Sequence, residues 1–149
     1  MEQQKLNDFM TLYNAWEQLS PGPQAELRRV AKPDELLEVP AFYRLYSGKA
    51  AQEWEKQAYL RMIFCLPYIK HTSDPVGLGK ALTKGKTVSE KRLFQVVRSD
   101  APNDMIQLRR ILQMVKPCAN WLSAAKILWY WNERSKRDLL EDYFVNQPK

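Results

Sequence analysis

Large apolar residues recur every three or four positions along almost the whole chain, and no segment alternates apolar and polar residues as a half-buried strand does. Leu6, Phe9, Met10, Tyr13 and Trp16 show this spacing, which places them on one face of a helix. Composition points the same way, because the 149 residues include five glycines, and Val, Ile and Thr are sparse beside Leu, Ala, Lys, Glu, Gln and Arg. The sequence therefore predicts an all-α fold.

Prolines and glycines divide the chain into helical segments. Helices are predicted over residues 6–19, 23–31, 50–66, 76–84, 89–99, 104–116, 119–132 and 135–146. Residues 33–35 resemble a further helix start, and residues 42–46 form a short aromatic turn or helix. Ser89, and either Asn103 or Asp104, are the predicted N-caps.

The connector at residues 67–79 holds two prolines and two glycines, the densest group of helix-breaking residues outside the segment Ser20–Pro23. It is the predicted boundary between two small packed helical bundles, residues 1–70 and residues 71–149.

Most large aromatic and sulfur-containing side chains have the spacing of core residues. One predicted stripe of the helix over residues 50–66 carries Trp54, Ala58, Met62 and Cys65. Core positions are also predicted for Trp121, Trp129, Tyr130 and Trp131, although their number leaves some for a protein interface. Cys65 and Cys118 are interpreted as two buried free thiols, with a disulfide as the alternative.

The sequence offers no recognisable catalytic set, and no enzyme activity, cofactor or metal is expected. The single histidine, His71, is predicted at the surface. Residues 79–87 resemble a phosphate-binding loop, but five residues separate the two glycines where the motif needs four, and no strand precedes them. Asp138, Glu141 and Asp142 lie one helical turn apart and are interpreted as solvated or paired with Arg134 and Arg137.

Neither a signal peptide nor a bilayer-spanning segment is recognisable, so a soluble, cytoplasmic protein with no membrane partner is expected.

Positive charge is concentrated in the second half of the chain. The net charge is +6, yet residues 1–75 sum to −1, and residues 76–116 alone hold nine basic and three acidic residues. Such asymmetry favours a polyanionic partner on one side of the molecule. Composition alone leaves open a helical protein that is simply basic.

Helical spacing groups the basic residues into candidate phosphate contacts. Lys91 and Arg98 are seven apart and share a face, and Arg109 and Lys116 repeat that relation. Arginine suits phosphate because its planar guanidinium donates two parallel hydrogen bonds. The candidate contacts grouped in this way include Arg28, Arg29, Lys91, Arg98, Arg109, Arg110, Arg134, Lys136 and Arg137. The alternative is that each basic face is solvated or neutralised by acids, as predicted for Lys5, Lys49, Lys56 and Lys70.

Ten short segments carry a family resemblance, because they occur together, in order and at similar spacing. They are residues 12–19 (LYNAWEQL), 27–30 (LRRV), 32–36 (KPDEL), 39–45 (VPAFYRL), 60–66 (LRMIFCL), 78–82 (LGKAL), 90–95 (EKRLFQ), 98–100 (RSD), 104–110 (DMIQLRR) and 139–143 (LLEDY). With them the chain resembles the CasB family, the small subunits of type I-E CRISPR Cascade complexes, over nearly its full length. The connector at residues 67–77 departs from the family by being shorter.

The resemblance implies an all-helical, non-enzymatic subunit of a crRNA-guided surveillance complex. Its implied partners are the crRNA, both strands of the target DNA, the large subunit and the backbone subunits of Cascade, and a second copy of itself arranged head to tail. The implied role is to stabilise the R-loop through backbone contacts, while base pairing supplies sequence specificity. Carried over by the matching segments, the phosphate contacts that the resemblance implies are Arg28, Arg29, Arg44, Lys80, Lys91, Arg92, Arg98, Arg109 and Arg110. Arg134, Lys136 and Arg137 are predicted contacts from the charge pattern alone. A scaffold that touches only protein is the alternative.

Overall fold

The computed structural model describes residues 2–147, which form nine α-helices, three short 3-10 helices and two very short strands. The α-helices are α1 (Glu2–Gln18), α2 (Pro21–Arg29), α3 (Pro40–Tyr46), α4 (Glu53–Cys65), α5 (Leu78–Ala81), α6 (Glu90–Arg98), α7 (Asn103–Val115), α8 (Trp121–Tyr130) and α9 (Glu133–Val145). The 3-10 helices are Pro33–Glu38, Leu66–Tyr68 and Lys84–Lys86. The predicted all-α fold is confirmed.

Helix starts follow local chemistry at several positions. The Ser89 hydroxyl accepts the Arg92 backbone N–H at 3.1 Å, which confirms the predicted N-cap of α6. The predicted N-cap of α7, Asn103 or Asp104, is wrong, because Pro102 occupies the cap position. Asp104 is instead buried inside the first turn, where Oδ2 accepts the Trp131 indole N–H at 2.9 Å.

The two strands were not predicted. Strand β1 (Lys70–His71) pairs in parallel with strand β2 (Cys118–Ala119), and the backbone N–H of Thr72 continues the ladder by donating to the Ala119 carbonyl at 3.0 Å. A two-residue strand is too short to show alternating hydrophobicity, so the sequence carries no signal for it. The pairing attaches the connector to the segment before α8.

One continuous hydrophobic core joins the two halves of the sequence. Helix α8 packs against both α1 and α4, and the Trp121 indole N–H donates to the Phe9 carbonyl at 2.8 Å. Arg61 of α4 donates to the carbonyls of Leu128 and Trp129 at the end of α8, at 2.7 and 2.8 Å. The division into bundles at residue 70 stays a prediction, and the Met1, Pro148 and Lys149 that those bundles include lie outside the described residues.

Several side chains differ from their predicted burial. Trp121, Trp129 and Trp131 are buried as predicted, but Tyr130 is 44% exposed. Trp54, in the first turn of α4, is 49% exposed, and its ring centre lies 5.5 Å from that of Trp129.

The two thiols also occupy different environments. Both cysteines are free, but only Cys65 is buried, and burial raises its pKa to about 12. Cys118 is exposed on strand β2, which corrects the expectation of two buried thiols.

His71 is half-buried and structural, which corrects its predicted place at the surface. Its Nδ1 accepts the backbone N–H of Trp121, the first residue of α8, at 3.0 Å. Its own backbone N–H donates to the Tyr13 hydroxyl at 2.9 Å. His71 therefore links the connector to α1 and α8.

His71→Ala should lower the free energy of unfolding by about 1–2 kcal/mol, because the Trp121 N–H loses its acceptor in a partly buried site. In His71→Asn the side-chain oxygen can replace Nδ1, so most of the loss should be recovered. Urea unfolding of the two variants and the wild type measures the difference. Equal destabilisation by Ala and Asn would show that the hydrogen bond contributes nothing.

Candidate nucleic-acid interface

Helices α6 and α7 pack together and leave a surface groove of about 760 Å³ between them. We call it the basic groove, and its lining residues are Lys91, Arg92, Phe94, Gln95, Arg98, Ser99, Gln107, Arg110 and Ile111. Four of the nine are cations and none is acidic. The prediction that Lys91 and Arg98 share a helix face is confirmed, because both line this groove.

The cations of the basic groove are exposed and point to solvent from two helices. Arg98 places its guanidinium carbon 4.7 Å from the centre of the Phe94 ring. Arg92 donates from Nη1 to the sulfur of Met114 at 3.1 Å. Gln107 donates to the Ser99 hydroxyl at 3.1 Å and so connects α7 to the end of α6.

The cations of the basic groove form no ion pair within residues 2–147, so their charge is available to a ligand. The ion pairs found between residues 2 and 147 are Lys5–Glu55 at 3.2 Å and Lys126–Glu2 at 3.1 Å, and neither involves the basic groove. For Lys5, predicted to be solvated or neutralised by an acid, the first pair shows neutralisation by Glu55. An accumulation of unpaired positive charge in a concave surface attracts polyanions.

Arg109 has a different environment from its neighbour Arg110. Arg110 is exposed in the basic groove, whereas Arg109 is half-buried, with its guanidinium carbon 4.0 Å from the centre of the Phe64 ring and 5.9 Å from that of Tyr68. Its Nη1 is buried and makes no hydrogen bond within residues 2–147. Burial lowers the pKa of Arg109.

The basic residues of the N-terminal half lie outside the basic groove. Arg28 and Arg29 occupy the last turn of α2, where Arg28 lies over the Trp16 ring at 5.2 Å. Arg44 is exposed on α3. All three remain predicted contacts, and none lines the surface formed by α6 and α7.

The remaining predicted contacts are spread over the C-terminal half. Lys80 is exposed on α5, Arg137 is exposed on α9, and Lys136 lies over the Trp131 ring at 5.5 Å. Arg134 lines a second cleft, of mixed charge, together with Lys126, Tyr130, Glu2, Asp138 and Asp142. The structure thus gathers four of the twelve predicted residues into one groove and leaves eight outside it.

The acidic set on α9 is partly structural. Asp142 accepts the Lys80 backbone N–H at 2.7 Å and so attaches α5 to α9, which corrects its interpretation as a solvated or arginine-paired acid. In the part of the chain that the structure describes, no group of three or more His, Cys, Asp or Glu residues could hold a metal ion. Nor does any helix between residues 2 and 147 have the length and apolar character needed to cross a bilayer.

The uncharged residues of the basic groove were missed at the sequence level. Gln95 and Ser99 follow Lys91 by four and eight positions, and Gln107 precedes Arg110 by three. Helical spacing therefore places them on the same faces as the cations, and that signal could have identified them.

Both a protein family model and a known relative match most of this chain. The family model described as CRISPR-associated protein Cse2 matches residues 24–144. The CRISPR system Cascade subunit CasB of Escherichia coli (strain K12) is 40% identical over 156 residues, which cover 95% of this chain and 96% of that protein.

Solved structures give the same relation. A chain in the crystal structure of E. coli Cascade bound to a PAM-containing dsDNA target matches with a TM-score of 0.86 and 42% identity, covering 92% of this chain and 94% of that one. CasB from Thermus thermophilus shares the fold, with a TM-score of 0.72 at 14% identity over 94% of this chain and 97% of the other. By its family model and its E. coli relative, the chain belongs to the Cse2 family of CRISPR-associated proteins.

Proposed function

We propose that this chain is a non-catalytic subunit of a type I-E CRISPR Cascade complex and that its basic groove holds nucleic-acid backbone. The observation that carries the proposal is the gathering of Lys91, Arg92, Arg98 and Arg110 in one groove whose other lining residues are uncharged. Cations spread over two helices can follow a phosphate backbone without reading bases. The relation to E. coli CasB supplies the biological context.

In this function, the crRNA selects the target by base pairing, and the subunit stabilises the R-loop that this pairing creates. The subunit contacts the crRNA-paired target strand and the displaced strand, which together form the R-loop. Since the RNA–DNA duplex is about as stable as the DNA duplex that it replaces, a few backbone contacts are enough to shift the exchange. The proposed protein partners are the large subunit, the backbone subunits and a second copy of this chain, placed head to tail.

A protein-interaction scaffold is the second candidate, and the mixed-charge cleft favours it. There Tyr130 is 44% exposed beside Arg134 and Asp138, a combination suited to a protein surface. This cleft and the basic groove are lined by different residues, so substitutions can test the two surfaces separately. Crosslinking in the target-bound complex separates them, since a pure scaffold gives protein adducts and no nucleic-acid adducts.

Arg98→Gln should weaken binding of the full-length chain to a single-stranded DNA oligonucleotide about three- to tenfold and shorten R-loop lifetime in the assembled complex. Loss of one phosphate contact should also reduce the slope of log affinity against log salt by about 0.7–0.9. Binding titrations between roughly 50 and 200 mM salt measure both quantities.

Lys49→Gln is the matched control, because it removes the same charge from an exposed residue outside the basic groove. It should leave affinity, slope and R-loop lifetime nearly unchanged. Equal behaviour of the two variants would indicate a response to net charge alone and would remove the basic groove from the proposal.

A further inference from the structure

A continuous stack of side chains connects the basic groove to helix α9. The Arg98 guanidinium lies over the Phe94 ring at 4.7 Å, and the Phe94 ring centre lies 5.6 Å from that of Phe144. Phe144 meets Tyr143 edge to face, with ring centres 5.2 Å apart. We call these four residues the aromatic stack.

The inner end of the aromatic stack is fixed to the start of α6. Tyr143 is 3% exposed, and its hydroxyl donates to the Val88 carbonyl at 2.8 Å. Val88 directly precedes Ser89, the N-cap of the helix that carries Phe94 and Arg98. Helix α6 therefore supplies Arg98 and Phe94 at the outer end of the stack, and α9 supplies Phe144 and Tyr143. The hydrogen bond from Tyr143 attaches the inner end to the residue before the N-cap of α6.

The contact with Phe94 places the Arg98 guanidinium carbon 4.7 Å from the ring centre, and no side-chain hydrogen bond from Arg98 is found within residues 2–147. An aromatic ring offers no carboxylate or carbonyl acceptor, so the N–H groups of Arg98 can donate to phosphate in the plane of the guanidinium. No carboxylate of residues 2–147 forms an ion pair with Arg98. An arginine ordered before binding loses less conformational entropy when it contacts a ligand.

We propose that Phe94, supported by Phe144, is a positioning residue that holds the Arg98 guanidinium in the basic groove for contact with a phosphate. The inference rests on the proposed function, because it assumes that Arg98 contacts nucleic-acid backbone. It adds that an uncharged aromatic side chain sets the strength of that contact.

The test is a double-mutant cycle on the full-length chain, with a single-stranded DNA oligonucleotide as the probe. Phe94→Leu should weaken binding about two- to fivefold in the wild-type background and hardly at all in the Arg98→Gln background. The salt slope should stay at the wild-type value in Phe94→Leu, because the charge of Arg98 is still present, and fall in Arg98→Gln. Phe94→Tyr keeps the ring face and should restore wild-type affinity.

Three outcomes overturn the positioning role. One is an equal loss from Phe94→Leu with and without Arg98, which would mean that Phe94 acts by itself or through general destabilisation. Another is wild-type binding by Phe94→Leu while Arg98→Gln binds weakly. The third, no effect of Arg98→Gln at all, contradicts the proposed function at this residue as well. If Phe94→Leu unfolds, Phe144→Leu provides the same cycle one ring further from Arg98.

Discussion

Gly79→Ala is expected to lower the free energy of unfolding by about 3 kcal/mol, because α5 and α9 approach each other too closely for a side chain. A Cβ atom on Gly79 would lie 2.5 Å from the Leu139 carbonyl oxygen and 2.7 Å from the Tyr143 backbone nitrogen. Both atoms belong to the backbone of α9, so relief requires the helices to separate. Urea unfolding should show a lower midpoint with an unchanged slope.

Gly22→Ala provides the control for this prediction. Gly22 lies in the first turn of α2, and a Cβ atom there would meet nothing within 4 Å. The substitution should stabilise the protein by about 0.5–1 kcal/mol through helix propensity and a less flexible unfolded chain. A Gly79→Ala variant that is as stable as the wild type would show that α5 and α9 can repack freely.

The sequence predicted the elements whose causes are local. Helix α6 is an example, because the Ser89 cap lies three residues from the N–H that it accepts, and Leu93 and Val96 are buried at helical spacing. These relations occur within one or two turns and can be read from the order of residues. The start and interior of the helix were therefore predictable.

Contacts between distant residues could not be predicted in this way. The half-buried His71 accepts a hydrogen bond from a residue 50 positions later, and the buried Asp104 accepts one from a residue 27 positions later. Their chemistry alone suggested a surface histidine and a helix cap, which are their usual roles. The fold gave both residues different partners, and nothing in their neighbouring sequence indicates those partners.

The same distinction applies to the candidate site. The shared face of Lys91 and Arg98 followed from spacing within one helix, whereas the addition of Arg110 depends on how α7 packs beside α6. Arg134, Lys136 and Arg137 were predicted contacts from the charge pattern alone, and Arg134 lines a different cleft, of mixed charge. A count of charges along the sequence does not reveal which helix faces meet.

Arg109 and Arg110 show the consequence for experiments. Reversing the charge of Arg109 should mainly lower stability, whereas reversing that of Arg110 should mainly weaken nucleic-acid binding. Arg109→Glu should lower the free energy of unfolding by about 2–3 kcal/mol, because it loses the contact with the Phe64 face and places an unpaired carboxylate in a half-buried position. Arg110→Glu should change stability by no more than about 0.5 kcal/mol, because its side chain is exposed.

When both variants are folded, Arg110→Glu should weaken nucleic-acid binding more than Arg109→Glu does. At a temperature where both variants are fully folded, Arg110→Glu should weaken oligonucleotide binding about tenfold or more, because it reverses a charge inside the basic groove. The two substitutions change the net charge equally, so each is the control for the other. If folded Arg109→Glu loses as much affinity as Arg110→Glu, the half-buried arginine is itself part of the nucleic-acid surface, and that surface extends from α7 toward Tyr68.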